Sequence, residues 1–178
     1  AQESRGLGDV YKRQVFKASA DLRPTSDRTK ETLFSWLQFE IQNKTCLDLF
    51  AGTGGLGLEA LSRGAQHVTF VERDKNLFKN IMKNIALLDY NEQAELACSD
   101  SMKWILTNKR TFDFIFLDPP FDKIKYDGLL RTIKSSALLN EGGKIYLEMN
   151  KRTEFEPSSA HEILKDKEIG DVRIMILQ

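Results

Sequence analysis

The segment Asp48-Leu-Phe-Ala-Gly-Thr-Gly-Gly-Leu-Gly57 restricts this chain more than any other. An apolar run over 46–50 reads as a buried strand. Gly52, Gly54 and Gly57 follow it, where they permit a tight turn and close approach of a ligand to the backbone. Leu56, Ala60 and Leu61 then share one helical face, and Gly64 stops the helix. Strand, glycine loop and helix in that order predict a nucleotide-type cofactor site, because loop amides and a helix N-terminus converge on one spot. The glycines also spell G-x-G-x-x-G, a pattern that a tight turn binding nothing would satisfy as well.

The rest of the chain alternates helices with strands. A helix capped by Thr25, Ser26 or Asp27 carries Leu33, Leu37 and Ile41 at helical spacing, beside Phe34 and Trp36. Further strands are predicted over 67–72, 94–99, 112–118 and 144–149. Between them Asp74 caps a helix with the stripe Leu77, Ile81, Ile85 and Leu88. Its Lys75, Lys79 and Lys83 read as a solvated face. A short helix is predicted over 102–106 and a longer one over 126–139, ended by Gly142-Gly143. Residues 161–169 and 172–177 flank Gly170-Asp171 as a hairpin. The pattern predicts an α/β fold: a doubly wound, mostly parallel sheet with a C-terminal antiparallel hairpin. It is read as one domain over 15–178. Residues 1–14 show no period, and Asp9-Val-Tyr-Lys-Arg-Gln14 resembles a translated sequencing adapter, so 1–14 is set aside as an artefactual or disordered leader.

Composition narrows the class by exclusion. Lys and Arg number 26, and so do Asp and Glu, so net charge gives no argument for nucleic acid, although a local basic patch would suffice. Cys46 and Cys98 carry no metal spacing and lie in apolar runs, where they read as buried, reduced thiols of an intracellular protein. No apolar run could span a bilayer and no signal peptide is visible. The expectation is therefore a cytoplasmic protein with no membrane partner.

Four acids end successive strands or lie just inside them: Asp48, Glu72, Asp100 and Asp118. In an open α/β sheet the carboxyl ends of the strands line the ligand crevice. Four carboxylates there would repel the pyrophosphate of a nicotinamide dinucleotide. S-adenosylmethionine has no phosphate and carries a sulfonium and an ammonium. Glu72 can accept its ribose hydroxyls, Asp100 its adenine amine, and Asp48 can lie near its cationic end. Asp118-Pro-Pro-Phe121 is the more specific motif. Pro119 and Pro120 have no amide hydrogens, so the turn offers acceptors only. Asp118 and the Pro119 carbonyl can hold the hydrogens of an exocyclic base amine, whose lone pair is otherwise delocalised into the ring, and aim it at a methyl donor. Phe121 can stack on the base. No metal is expected, because a sulfonium is already an activated donor.

These motifs resemble the RsmD-type small-subunit ribosomal RNA guanine-N2 methyltransferases, within the class I S-adenosylmethionine-dependent group. The resemblance is carried by Leu22-Arg-Pro-Thr-Ser-Asp-Arg28, Asp48 to Ala65, Phe70-Val-Glu-Arg-Asp74 and Leu117-Asp-Pro-Pro-Phe121. It implies a seven-stranded sheet in the order 3-2-1-4-5-7-6. It implies a cofactor set of Asp48, Gly52, Gly54, Glu72, Arg73, Asp100 and Ser101, and an RNA-contacting set of Arg23, Thr25 and Arg28. The catalytic residues would be Asp118, Pro119, Pro120 and Phe121. The substrate would be ribosomal RNA, in a partly assembled 30S subunit, and the enzyme a monomer. Family members usually open with a short basic hairpin, and residues 1–14 stand in most of its place. An adenine-N6 or protein-glutamine methyltransferase, or a catalytically silent binding module, are the other readings of the same motifs.

Overall fold

The structure is a computed structural model that describes residues 27–120 and 124–178. The predicted leader, Arg23, Thr25 and Phe121 lie outside these residues. Helix α1 (Asp27–Trp36) precedes strand β1 (Thr45–Asp48), and α2 (Gly55–Ser62) leads to β2 (His67–Glu72). Helix α3 (Lys75–Leu87), β3 (Ala94–Cys98), α4 (Ser101–Thr107) and β4 (Phe112–Leu117) follow. The chain then forms α5 (Tyr126–Ser135), β5 (Leu139–Asn150), β6 (Ile163–Ile169) and β7 (Val172–Leu177). The seven strands make one sheet in the order β3-β2-β1-β4-β5-β7-β6. All pairings are parallel except those of β7 with β5 and with β6. This is the predicted fold class and strand order.

The central strands read as unbroken apolar runs because both of their faces are covered. Phe70, Phe114, Phe116 and Tyr146 face α1, α2 and α3, which bury Leu33, Phe34, Leu58, Leu61 and Ile81 against them. Leu47, Ile115, Leu117 and Leu147 face the other way, against Ile105 of α4 and Leu129 and Ile133 of α5. At the strands' N-terminal ends Asp113 ties three strands together. It accepts the Thr45 N–H at 2.9 Å, the Thr45 hydroxyl at 3.0 Å and the Asn140 amide at 3.0 Å. Burial pushes its carboxyl up, but these bonds outweigh burial and hold it below the ordinary range. No helix among the described residues is long and apolar enough to cross a membrane.

Four expectations need correction. Helix α1 stops at Trp36, and Leu37 and Ile41 reach the core from a run of turns, with hydrogen bonds Leu37 N–H to Leu33 O and Ile41 N–H to Leu37 O. A turn held by i to i−4 bonds keeps the helical spacing without continuing the helix. Helix α5 ends at Ser135, where Ala137 (φ 48°) turns the chain, so Leu139 opens β5. Gly142 and Gly143 do not stop a helix. They lie in β5, where the register with β4 shifts between Phe112 and Phe114 and Gly142 has φ 71°. Cys98 is exposed, because β3 is an edge strand; Cys46 is buried, and its thiol is pushed well up by burial and then by the charges of Asp113 and Asp48.

Candidate active site

The order 3-2-1 followed by 4-5 means that the winding reverses between β1 and β4, the point where open α/β sheets bind ligands. Sheet register puts three of the four predicted acids, Asp48, Glu72 and Asp118, there on one face. Asp48 pairs with Phe70 on β2 and with Phe116 on β4, and Phe116 pairs with Tyr146 on β5. Side chains two residues apart in a strand share a face. Glu72 therefore continues the face of Phe70, Asp118 that of Phe116, and Glu148 that of Tyr146. Asp48 lies one pleat deeper. Four carboxylates thus stand across four adjacent strands, β2-β1-β4-β5.

The glycine loop is bound to the first two of them. Glu72 accepts the Gly52 N–H through Oε2 and the Asp74 N–H through Oε1, both at 2.7 Å. Asp48 Oδ2 accepts the Gly57 N–H at 2.9 Å. The Gly54 N–H is used within the turn, donating to Ala51 O at 2.6 Å. The amides of Gly52, Gly54 and Gly57 are therefore turned inward, onto the chain's own carboxylates and a carbonyl. The three glycines also separate by role. A Cβ on Gly52 (φ 54°) would have no neighbour nearer than Phe50 O at 3.9 Å, so this position alone is open to an approaching ligand. Gly54 (φ 82°) caps α2 beside Ile81. A Cβ on Gly57 would fall 2.2 Å from Phe70 Cε1, so this glycine serves close helix–strand packing and not ligand approach.

Asp48 is 2% exposed. Burial raises its pKa to about 7, the Gly57 N–H opposes that, and the charges of Asp118 and Glu72 add to it. A cationic group beside this face would remove much of that cost.

The remaining predicted residues divide. Ser101 donates to Leu49 O at 2.7 Å, which fastens the start of α4 to the end of β1. Asp100 caps α4, its Oδ1 accepting from the N–H groups of Met102 at 3.1 Å and Lys103 at 3.2 Å. Both side chains thus have a structural task at the crevice edge. Arg73, next to Glu72, is exposed, and so is Arg28 in the first turn of α1. Pro119 is buried and Pro120 half-buried.

Two residues escaped the sequence reading. Glu148 is 4% exposed, and its Oε2 accepts the buried Tyr146 hydroxyl at 2.8 Å. Burial, and then the charges of Glu148 and Asp118, hold the Tyr146 phenol well above its ordinary pKa. An acid inside the run Ile145 to Met149 was the available signal: period-two alternation from Tyr146 puts it level with Asp118.

The profile of a family described as "Conserved hypothetical protein 95" matches residues 7–178, beginning inside the 1–14 stretch. A Haemophilus influenzae protein named ribosomal RNA small subunit methyltransferase D is 39% identical over 90% of this chain and 84% of its own length. The chain belongs to the RsmD-type ribosomal RNA methyltransferase family. Solved structures of this type superpose closely. A candidate methyltransferase from Escherichia coli is 32% identical, with a TM-score of 0.81 over 90% of this chain and 88% of that one. A candidate methylase from Haemophilus influenzae is 37% identical, with a TM-score of 0.77 over 87% of this chain and 98% of that one.

Proposed function

We propose that this chain transfers a methyl group from S-adenosylmethionine to the exocyclic N2 amine of a guanine in small-subunit ribosomal RNA. The observation that carries the reading is the inward turn of the glycine loop onto Glu72 and Asp48. A loop whose amides already serve carboxylates is no cradle for pyrophosphate, and the row of acids beside it favours a cofactor that is cationic and phosphate-free. Each carboxylate has about four acceptor positions, so Glu72 can hold the loop and still accept ribose hydroxyls. Asp100 and Ser101 close the adenine side, and Arg73 stands at the outer edge. Once bound, S-adenosylmethionine supplies a methyl whose bond to sulfur breaks with the electron pair left on sulfur.

The chain's own residues deal with the amine. Asp118 and the Pro119 carbonyl accept its two hydrogens and leave the lone pair pointing at the methyl. Pro119 and Pro120 present no N–H to compete. Phe121 is assigned to stack on the flipped base. The proton that the nitrogen sheds on forming its new bond passes to the Asp118 carboxylate. Arg23, Thr25 and Arg28 are assigned to the RNA backbone, which binds through phosphate charge. The substrate is taken to be a partly assembled 30S particle in the cytoplasm, and the enzyme to act as a monomer.

Asp118→Ala is the direct test. Calorimetry should find cofactor binding nearly intact, while turnover on small-subunit RNA falls about 10²–10³-fold, the cost of one preorganised contact in the transition state. Wild-type turnover in that variant, or a product that maps to adenine, would end this assignment. The same RNA, titrated at two salt concentrations, should show Arg28→Ala losing affinity with a shallower salt dependence.

A further inference from the structure

Glu148 is the one buried carboxylate of the row that the mechanism above leaves without a task. Its strand neighbours Leu147 and Met149 are buried and apolar, and Ile174 pairs with it on β7. An apolar side chain would pack at this position, whereas a buried carboxylate costs stability unless it is paired. The Tyr146 hydroxyl, 2.8 Å from Oε2, supplies part of that pairing and fixes the carboxylate in place. Strand order sets where the charge stands. Glu72 and Asp48 belong to β2 and β1, on the cofactor side of the switch point. Asp118 directly follows β4 and Glu148 belongs to β5, on the side where the base must lie. In methyl transfer the positive charge moves from the donor to the amine nitrogen, that is, from the first pair of acids toward the second.

We propose that Glu148, held by Tyr146, is a positioning residue for methyl transfer: its charge beside Asp118 makes that carboxylate a stronger acceptor of the amine hydrogens and favours the cationic nitrogen as it forms. This rests on the role given to Asp118 above. The effect is electrostatic and acts through Asp118, so Glu148 need not touch the base. A like charge at the matching position of the adjacent strand disfavours ionisation of its neighbour and raises its basicity. The groups that bear on the pair are Asp48 on β1, Glu72 on β2 and Tyr146 on β5. The elements over this face carry further charges: Asp27, Arg28, Lys30 and Glu31 on α1, which packs Phe34 on Phe116, Glu59 on α2, Lys75, Lys79 and Lys83 on α3, and Lys144 farther back on β5. The side chains that β7 turns to this face, Ile174 and Ile176, carry no charge.

Glu148→Gln keeps the shape and removes the charge. It should bind S-adenosylmethionine with wild-type affinity, lower kcat about ten-fold with KM for the RNA unchanged, and move the acid limb of the pH–kcat profile to lower pH. A readout without turnover accompanies it: the Asp118 carboxyl, followed by carbon-13 NMR in the free protein and assigned through Asp118→Asn, should titrate at lower pH in Glu148→Gln than in the wild type. Tyr146→Phe, which removes only the hydroxyl, should shift both profiles in the same direction by less. It decides the matter by the same measurements if Glu148→Gln does not fold. A folded variant whose kcat, acid limb and Asp118 titration all match the wild type overturns the proposal. So does a loss explained wholly by weaker cofactor binding. Asp118→Ala, assayed in parallel, separates the two readings. If it is inactive while Glu148→Gln is unaffected, only the role of Glu148 falls. If it is fully active, the assignment of Asp118 falls first.

Discussion

Asp48 is where the needs of the site and of the fold oppose each other most directly. The residue is buried, and its folded-state pKa of about 7 lies well above the ordinary value of 3.8. A raised carboxyl pKa means that the folded chain favours the protonated form. The stability that this gives is fully present below about pH 4 and is lost as pH rises through 7, with a span on the order of 4 kcal/mol. Asp48→Asn keeps an oxygen to accept the Gly57 N–H and removes the titration. Urea unfolding at pH 5 and pH 8 should find the wild type losing stability over that interval and the variant losing much less, so that the variant is the more stable at pH 8. Equal pH dependence in the two would assign the loss to another group. A cofactor with a cationic end would offset the same cost at neutral pH.

The glycine loop and α2 show how packing decides what an element can do. Gly57 sits where a methyl would collide with the ring of Phe70, itself buried in the sheet. Gly57→Ala must push α2 away from β2 and lengthen the Asp48–Gly57 bond. The expected loss is about 1–3 kcal/mol, as for other overpacked sites. Gly128 in α5 is the control, because a methyl there meets nothing within 4 Å. Gly128→Ala should stabilise by about 0.5–1 kcal/mol through helix propensity. Denaturant midpoints measured on both variants compare the two environments directly, and a Gly57→Ala protein as stable as wild type would show that α2 does not pack as described. A G-x-G-x-x-G pattern cannot separate these cases. It records that side chains are absent, not whether turn, ligand or aromatic ring requires the absence.

At the scale of the molecule, charge guards the two edges of the sheet. The β3 edge carries Glu95, ion-paired with Arg110, and the β6 edge carries the exposed Lys165, Asp166, Lys167 and Glu168. Charged edge strands resist pairing with a second sheet. Light scattering should therefore find one chain per particle. Replacing Lys165 and Lys167 together with Val should produce concentration-dependent association, and a wild-type dimer would overturn the monomer reading. Much of this architecture is local information. Periodicity and caps located the strands and helices, Asp74 capped its helix as its position required, and the strand-end acids could be named because a strand's carboxyl end is a property of its own sequence. Boundaries failed where a local signal had two meanings: Gly142-Gly143 stops a helix or bends a strand with equal ease, and only pairing with β4 made it a bulge. The loop amides, the separate tasks of the glycines, the exposure of Cys98 and the pairing of Tyr146 with Glu148 were all settled by neighbours far away in the chain. Residue type and spacing determined which chemical groups this protein possesses and on which elements they ride. The register of the central strands decided which of those groups share a face, because backbone pairing of β2, β1, β4 and β5 brings residues 72, 48, 118 and 148, far apart in the chain, to one side of the sheet, with Asp48 one pleat deeper.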